Sequence, residues 1–105
     1  MKIKFLKSIE VLAIKFNVIW DKTHNGGSFS CRDSTIIVGT KDYHKDPVYT
    51  FQILSHELLE LILMQMGGRY ENPRTTNNYL FNFNHQTFEN AVEIHTLLLS
   101  KFIKQ

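Results

Sequence analysis

The spacing of apolar residues along the chain predicts three helices. Over residues 3–16, apolar side chains recur at helical intervals with charged residues between them, which is typical of an amphipathic helix. A second helix is expected from about Thr50 to the Gly67-Gly68 pair, because glycine often follows the end of a helix. A third helix begins around residues 84–87. Its apolar stripe consists of Phe88, Ala91, Val92, His95, Leu98, Leu99 and Phe102.

Short runs of β-branched and aromatic residues between the first two helices predict a small three-stranded sheet. The strands are expected at residues 17–20, at residues 28–32 and at Thr35–Gly39. The last is the strongest prediction because β-branched residues dominate it. Asn25-Gly26-Gly27 separates the first two strands and is a strong turn signal. The sheet therefore precedes the central helix in the chain.

The segment after the central helix is expected to be mostly loop, with a hairpin that pairs residues 69–70 with residues 79–83. Residues 1–105 are long enough for one domain with a modest core that needs no disulfides. The expected fold class is α+β. Its order is an N-terminal helix, a small three-stranded sheet, a central helix, a loop or hairpin and a C-terminal helix.

The composition excludes several classes of protein. The net charge is only +2 and the lysines are scattered, so the chain lacks the dense basic patch of a nucleic-acid binder. Residues 1–16 contain lysines and a glutamate with no uninterrupted apolar run, so we expect neither a signal peptide nor a membrane span there. Cys31 is the only cysteine, which excludes a disulfide framework and fits a reducing compartment. We therefore expect a cytoplasmic protein.

Three ionisable residues lie within the most apolar stretch of the chain. His56, Glu57 and Glu60 are surrounded by Leu and Ile over residues 53–63, and such side chains are rarely buried unless they are paired or bind a metal. On a helix, His56 and Glu60 are roughly 40° apart around the axis, so both side chains can bind one ion. Glu57 projects about 100° from His56, close enough to orient a water on that ion.

The run from His56 to Glu60 reads H-E-x-x-E and resembles the H-E-x-x-H helix of the zincin metallopeptidases, in particular small phage and bacterial members with an altered motif. The resemblance extends over about residues 17–95. In that family, an N-terminal helix and a small sheet precede the motif helix. It implies a zinc site with His56 and Glu60 as ligands, Glu57 as general base and amide hydrolysis as the reaction. It also implies that Thr35–Gly39 is an edge strand that binds an extended peptide by strand addition.

Glu60 stands where the family has a second histidine, so the usual set of two histidines and one carboxylate needs a histidine from elsewhere. We predict His85, at the start of the last helix, as this third ligand. His95 is the rival, although a core histidine bonded to a carbonyl oxygen better explains its place on an apolar stripe. Glu89 and Glu93 share the helix face of His85. They are most simply exposed, with metal ligation or a hydrogen bond to a ligating histidine as the alternative.

Two other interpretations of the motif are open. His56 and Glu60 can form a hydrogen-bonded pair without a metal, in a non-catalytic zincin-like module whose sheet edge binds a protein partner. The chain can also be a small α+β interaction protein unrelated to metallopeptidases. In addition, a carboxylate at position 60 donates more charge to zinc than histidine does, which makes bound water less acidic and slows hydrolysis. An inactive or specialised family member is therefore one of the alternatives.

Overall fold

A computed structural model describes residues 2–71 and 79–104. Over these residues the fold is α+β, with two helices, a four-stranded mixed sheet and a two-stranded sheet. The elements in chain order are β1 (Ser8–Val11), β2 (Ile14–Asp21), β3 (Gly27–Ser30), β4 (Thr35–Gly39), α1 (Pro47–Gln65), β5 (Arg69–Glu71), β6 (Tyr79–Phe81) and α2 (His85–Ser100). Neither described helix has the length and apolar character of a membrane span.

The first two strands form a hairpin where a helix was predicted over residues 3–16, so that prediction is wrong. β1 and β2 pair antiparallel, with Ile9 opposite Phe16. Leu12 and Ala13 connect them, and both have positive φ (49° and 68°), the backbone sign of a tight hairpin turn. Side chains alternate between buried and exposed along the paired strands. Packing of this alternating pattern against the core outweighs the helical spacing that the same residues also satisfy.

The strand order of the four-stranded sheet is β1-β2-β4-β3. β4 pairs parallel with β2 and antiparallel with β3, so Thr35–Gly39 is an interior strand. The prediction that it forms the edge of the sheet is therefore wrong, because hydrogen bonds to both neighbours occupy its backbone. The edge strand on that side is β3. The three strands predicted from the sequence overlap β2, β3 and β4, and the sheet gains β1 as its fourth strand.

Helix α1 packs on β3 and β4 and confirms the predicted central helix, although it begins at Pro47 instead of Thr50. Asp46 caps its N-terminus by accepting a hydrogen bond from the backbone N–H of Tyr49 at 3.1 Å. Gly67, with a φ of 77°, follows its last turn, as the sequence predicts. These caps fix the register of the helix and hence the direction of the side chains in its third turn.

The hydrophobic core lies between α1 and the four-stranded sheet and continues to α2. Its buried members include Ile9, Val11, Phe16, Val18, Ile36 and Val38 from the sheet, and Leu54, Leu58, Leu61, Ile62, Ala91 and Leu98 from the helices. The predicted apolar stripe of α2 is only partly in this core, because Phe88 and Val92 are 48% and 43% exposed. Helix α2 thus contacts α1 through one part of its apolar surface and presents the rest to water.

The second sheet is a short hairpin that follows α1 and precedes α2 in the chain. β5 and β6 pair antiparallel, with Arg69 opposite Phe81, which confirms the predicted hairpin. The loop predicted between them, at residues 72–78, lies outside the described residues. Helix α2 begins after Asn84, whose side chain accepts a hydrogen bond from the backbone N–H of Thr87 at 2.8 Å. The predicted start of the last helix is therefore confirmed.

Candidate metal site

Helix α1 brings three side chains of metal-ligand type together. His56, Glu57 and Glu60 each offer a donor atom, and these atoms lie within 4.8 Å of one another. His56 Nε2 is 2.7 Å from a carboxylate oxygen of Glu60 and 3.9 Å from one of Glu57. Within residues 2–71 and 79–104, no other group of three or more His, Cys, Asp or Glu side chains converges in this way. The short distances follow from the helical spacing that the sequence analysis used.

The three side chains differ in their access to water. The His56 side chain is 65% exposed, that of Glu60 is 21% exposed and that of Glu57 only 9%. Glu57 faces the edge strand β3, where a Cβ atom added to Gly27 would lie 2.8 Å from Glu57 Cγ. Glycine at this position therefore lets β3 approach α1 closely. The result is a buried carboxyl beside an exposed imidazole.

Burial shifts the protonation equilibrium of the Glu57 carboxyl group. Loss of water around its carboxyl group is the largest effect and raises the pKa of Glu57. The charge of His56 opposes this rise, that of Glu60 adds to it, and that of Arg69 opposes it. A carboxyl group with a raised pKa holds an abstracted proton more readily near neutral pH. Such a shift is typical of the general base in hydrolytic enzymes.

Arg69, the first residue of β5, contributes a positive charge that the sequence analysis did not assign to the site. Its Nε lies 3.6 Å from the carboxylate oxygen of Glu60 that does not face His56. Its guanidinium group also lies over the Phe29 ring, 4.9 Å from the ring centroid, in a cation–π arrangement. Glu60 is therefore held between an imidazole and a guanidinium. The signal in the sequence is a glutamate within an apolar stretch, which needs a cation nearby if it is buried.

His85, the predicted third ligand, does not belong to the cluster on α1. Its side chain is 82% exposed, and its Nδ1 lies 3.5 Å from a carboxylate oxygen of Glu89, one turn along α2. Glu89 and Glu93 are both exposed, as the simplest interpretation expected. The structure thus brings together three of the four predicted site residues and leaves His85 at the start of α2. Its role as a ligand stays a prediction.

His95, the rival ligand, forms a contact between the two helices. Its Nε2 lies 3.0 Å from the backbone carbonyl oxygen of Ser55 and 3.2 Å from the Ser55 hydroxyl. Because a carbonyl oxygen can only accept, Nε2 carries the proton and donates to it. The predicted bond to a carbonyl oxygen is therefore confirmed, although His95 is only half-buried and not part of the core. The contact also connects α2 to the residue directly before His56.

The exposed imidazole of His56 lines two open cavities. The first, of about 300 Å³, lies beside the edge strand and is also lined by Gly27 and Glu57. The second, of about 370 Å³, is also lined by Glu60 and Phe83. Both volumes are at the lower end of the range for small-ligand sites. The cluster is therefore open to solvent beside β3, on the side on which Glu57 lies.

The sequence matches no family model, no curated protein and no solved structure. The resemblance to the zincin metallopeptidases therefore rests on the motif of α1 and on the sheet that precedes it. The part of the resemblance that depended on an N-terminal helix is lost, since residues 8–21 form the β1–β2 hairpin.

Proposed function

We propose that the protein binds one zinc ion at this face of α1 and hydrolyses amide bonds. His56 and Glu60 are the proposed ligands, and Glu57 is the proposed general base. The observation that carries the proposal is the convergence of three donor atoms within 4.8 Å, one of them on a buried carboxyl group. A buried carboxyl group with a raised pKa, next to other ionisable side chains, is typical of catalytic sites.

The donor atoms fit zinc, which binds imidazole nitrogen and carboxylate oxygen. When bound, zinc would polarise a substrate carbonyl group and lower the pKa of a water molecule. Arg69 holds one oxygen of Glu60 and leaves the other directed at His56. His85 remains the proposed third ligand, and it would have to leave Glu89 to join the cluster. Glu57 is the alternative third ligand, at the expense of its role as base.

The proposed role of Glu57 is to take a proton from the attacking water and give it to the leaving amine. Its burial and raised pKa support this role, because a raised pKa favours the protonated form that gives its proton to the amine. The proposed substrate is an extended peptide. The edge strand β3 supports this choice, since the outer side of its backbone forms the edge of the sheet, next to Glu57.

A second candidate function is a non-catalytic module that binds a protein partner. The observation that favours it is the set of contacts around Glu60, whose two carboxylate oxygens already face His56 at 2.7 Å and Arg69 at 3.6 Å. Such a carboxylate is neutralised without a metal. In that case the cluster stabilises the fold, and the edge of β3 is the binding surface.

Zinc content after reconstitution and removal of excess metal separates the two candidates. We expect about one zinc per chain in the unmodified protein, as in other single-ion sites, and loss of zinc in His56→Ala and in Glu60→Ala. His24→Ala is the matched control, because His24 also pairs with a carboxylate, at 3.1 Å from Asp21, but away from the cluster. Loss of zinc in His85→Ala would identify His85 as the third ligand. No zinc in the unmodified protein would contradict the proposal.

Catalysis needs a separate test because zinc binding alone does not establish it. We expect the zinc-loaded protein to cleave members of a peptide library, detected by mass spectrometry. Glu57→Gln should keep the zinc and lose the cleavage, since glutamine cannot accept the proton of water. Full zinc loading without cleavage of any peptide would leave the metal site in place and contradict the hydrolase assignment.

A further inference from the structure

A cavity of about 550 Å³ lies apart from the candidate metal site and shares no lining residue with it. Its volume falls within the usual range for small-molecule sites. Most of the residues that line it are aromatic residues or lysines. The lining residues are Phe5, Lys7, Trp20, Lys22, Thr40, Lys41, Tyr43 and His44.

The aromatic wall of this cavity is held in place by specific contacts. Phe5 meets Trp20 and Tyr43 edge to face, with ring centroids 4.9 Å and 5.0 Å apart. The indole N–H of Trp20 donates a hydrogen bond to the Leu6 carbonyl oxygen at 2.9 Å, and the Tyr43 hydroxyl accepts one from the backbone N–H of Ile3 at 3.1 Å. Phe5 is nevertheless 43% exposed. The cavity thus offers preorganised aromatic surface that a ligand can cover.

The charge around the cavity has one sign. Lys7, Lys22 and Lys41 line it, and none of the lining residues is acidic. The two aspartates next to these lysines in the chain keep their charge but do not line the cavity. Asp21 accepts hydrogen bonds from Thr23, and Asp42 accepts one from Asn25 at 2.8 Å. Three lysines beside an aromatic wall are complementary to a ligand that combines an anionic group with a flat ring.

We propose that this cavity binds a small aromatic anion of the nucleoside monophosphate type. The ring would lie against the wall formed by Phe5, Trp20 and Tyr43, and the phosphate among the lysines. A long polyanion is disfavoured because the protein has a net charge of only +2. The proposed ligand is a free small molecule with one aromatic ring system and one phosphate. This inference does not depend on the proposed zinc site.

Trp20 provides a direct measurement, since it is the only tryptophan in the sequence and lines the cavity. Its fluorescence is titrated with AMP, with adenosine and with inorganic phosphate, under excitation where adenine does not absorb. We expect AMP to produce a saturable change that weakens with added salt. Adenosine and phosphate should bind at least about tenfold more weakly, because each retains only one of the two interactions.

Matched charge variants locate the binding. The double variant Lys22→Gln/Lys41→Gln should bind AMP about tenfold more weakly, from two partly exposed ion pairs. Lys15→Gln/Lys101→Gln is the control, since it removes the same charge at two exposed positions outside the cavity. Three outcomes would each overturn the proposal: no saturable response to AMP, equal binding of adenosine and AMP, or equal loss of affinity in both double variants.

Discussion

At the scale of single residues, Glu57 makes the folded state sensitive to pH. Desolvation raises its pKa, so the folded protein holds a proton that the unfolded chain gives up at lower pH. The contribution to stability is therefore fully present below the ordinary glutamate pKa of about 4.3. It is lost as pH rises through the raised pKa of the folded state. The ionised carboxylate of Glu57 thus lowers the stability of the folded state.

Glu57→Gln tests this reasoning in metal-free protein. We expect the variant to gain free energy of unfolding relative to the unmodified protein as pH rises from acidic to neutral, because glutamine has no charge to desolvate. Urea unfolding at a series of pH values measures the difference. Glu93→Gln, at an exposed position of α2, is the control and should show no such trend. A constant difference at all pH values would contradict the assignment of a raised pKa.

His95 can be tested as a contact between the helices or as a metal ligand, since the two roles predict different losses on substitution. We expect His95→Ala to lower the free energy of unfolding by about 0.5–1.5 kcal/mol, because it removes one hydrogen bond to the Ser55 carbonyl oxygen, at 3.0 Å, while that oxygen keeps its partner within α1. Zinc content should not change. Ser55→Ala keeps the carbonyl and removes only the hydroxyl, so its loss should be smaller. Loss of zinc in His95→Ala with normal stability would contradict the role of His95 as a contact between the helices and favour its role as a metal ligand.

At the scale of elements, the β1–β2 hairpin shows where a sequence pattern is ambiguous. Ile9 and Phe16 fit a helical stripe, but they also face each other across two strands in the sheet. The turn carries no glycine or asparagine, the residues that usually signal it. Leu12 and Ala13 adopt positive φ in spite of their Cβ atoms. The surrounding strand pairing therefore imposes this conformation, and no local signal could have predicted it.

Ala13→Gly tests whether the turn is strained. A residue with a Cβ at a φ of 68° is disfavoured by about 1 kcal/mol relative to glycine, and the greater freedom of glycine in the unfolded chain offsets part of this. We expect a gain of roughly 0.5 kcal/mol in the free energy of unfolding, measured by urea titration. Lys15→Gly, two residues later in β2, should instead destabilise, since its backbone needs no positive φ. A loss in both variants would contradict the strained turn.

At the scale of the whole molecule, contacts between residues that are close in the sequence can be predicted. Contacts and strand positions that depend on the packing of distant elements cannot. The angle between His56 and Glu60 follows from helical geometry alone, so their 2.7 Å contact could be predicted. The approach of Arg69 to Glu60 could not, because it depends on how β5 packs against α1. The interior position of Thr35–Gly39 likewise depends on the crossover that places β4 between β2 and β3. Periodicity carries no information about strand order.

The packing of the edge strand against α1 is the feature of the whole fold on which the candidate site depends. A Cβ atom at Gly27 would lie 2.8 Å from Glu57 Cγ, 2.9 Å from the Ile37 carbonyl oxygen and 3.0 Å from Ile53 Cγ2. The carbonyl belongs to the neighbouring strand and cannot rotate away as a side chain can. An added methyl group must therefore separate β3 from β4 or from α1.

Gly27→Ala should consequently affect stability and the site together. We expect a loss of about 1–3 kcal/mol in the free energy of unfolding, as for other overpacked positions, together with weaker zinc binding, because Glu57 and the turn of α1 that carries His56 are displaced. Ser28→Ala changes the next, exposed residue of the same strand and should alter neither quantity. Urea unfolding and zinc titration of both variants measure the effect. Unchanged stability and zinc affinity in Gly27→Ala would mean that β3 does not support the site, and the edge strand would lose its place in the proposed mechanism.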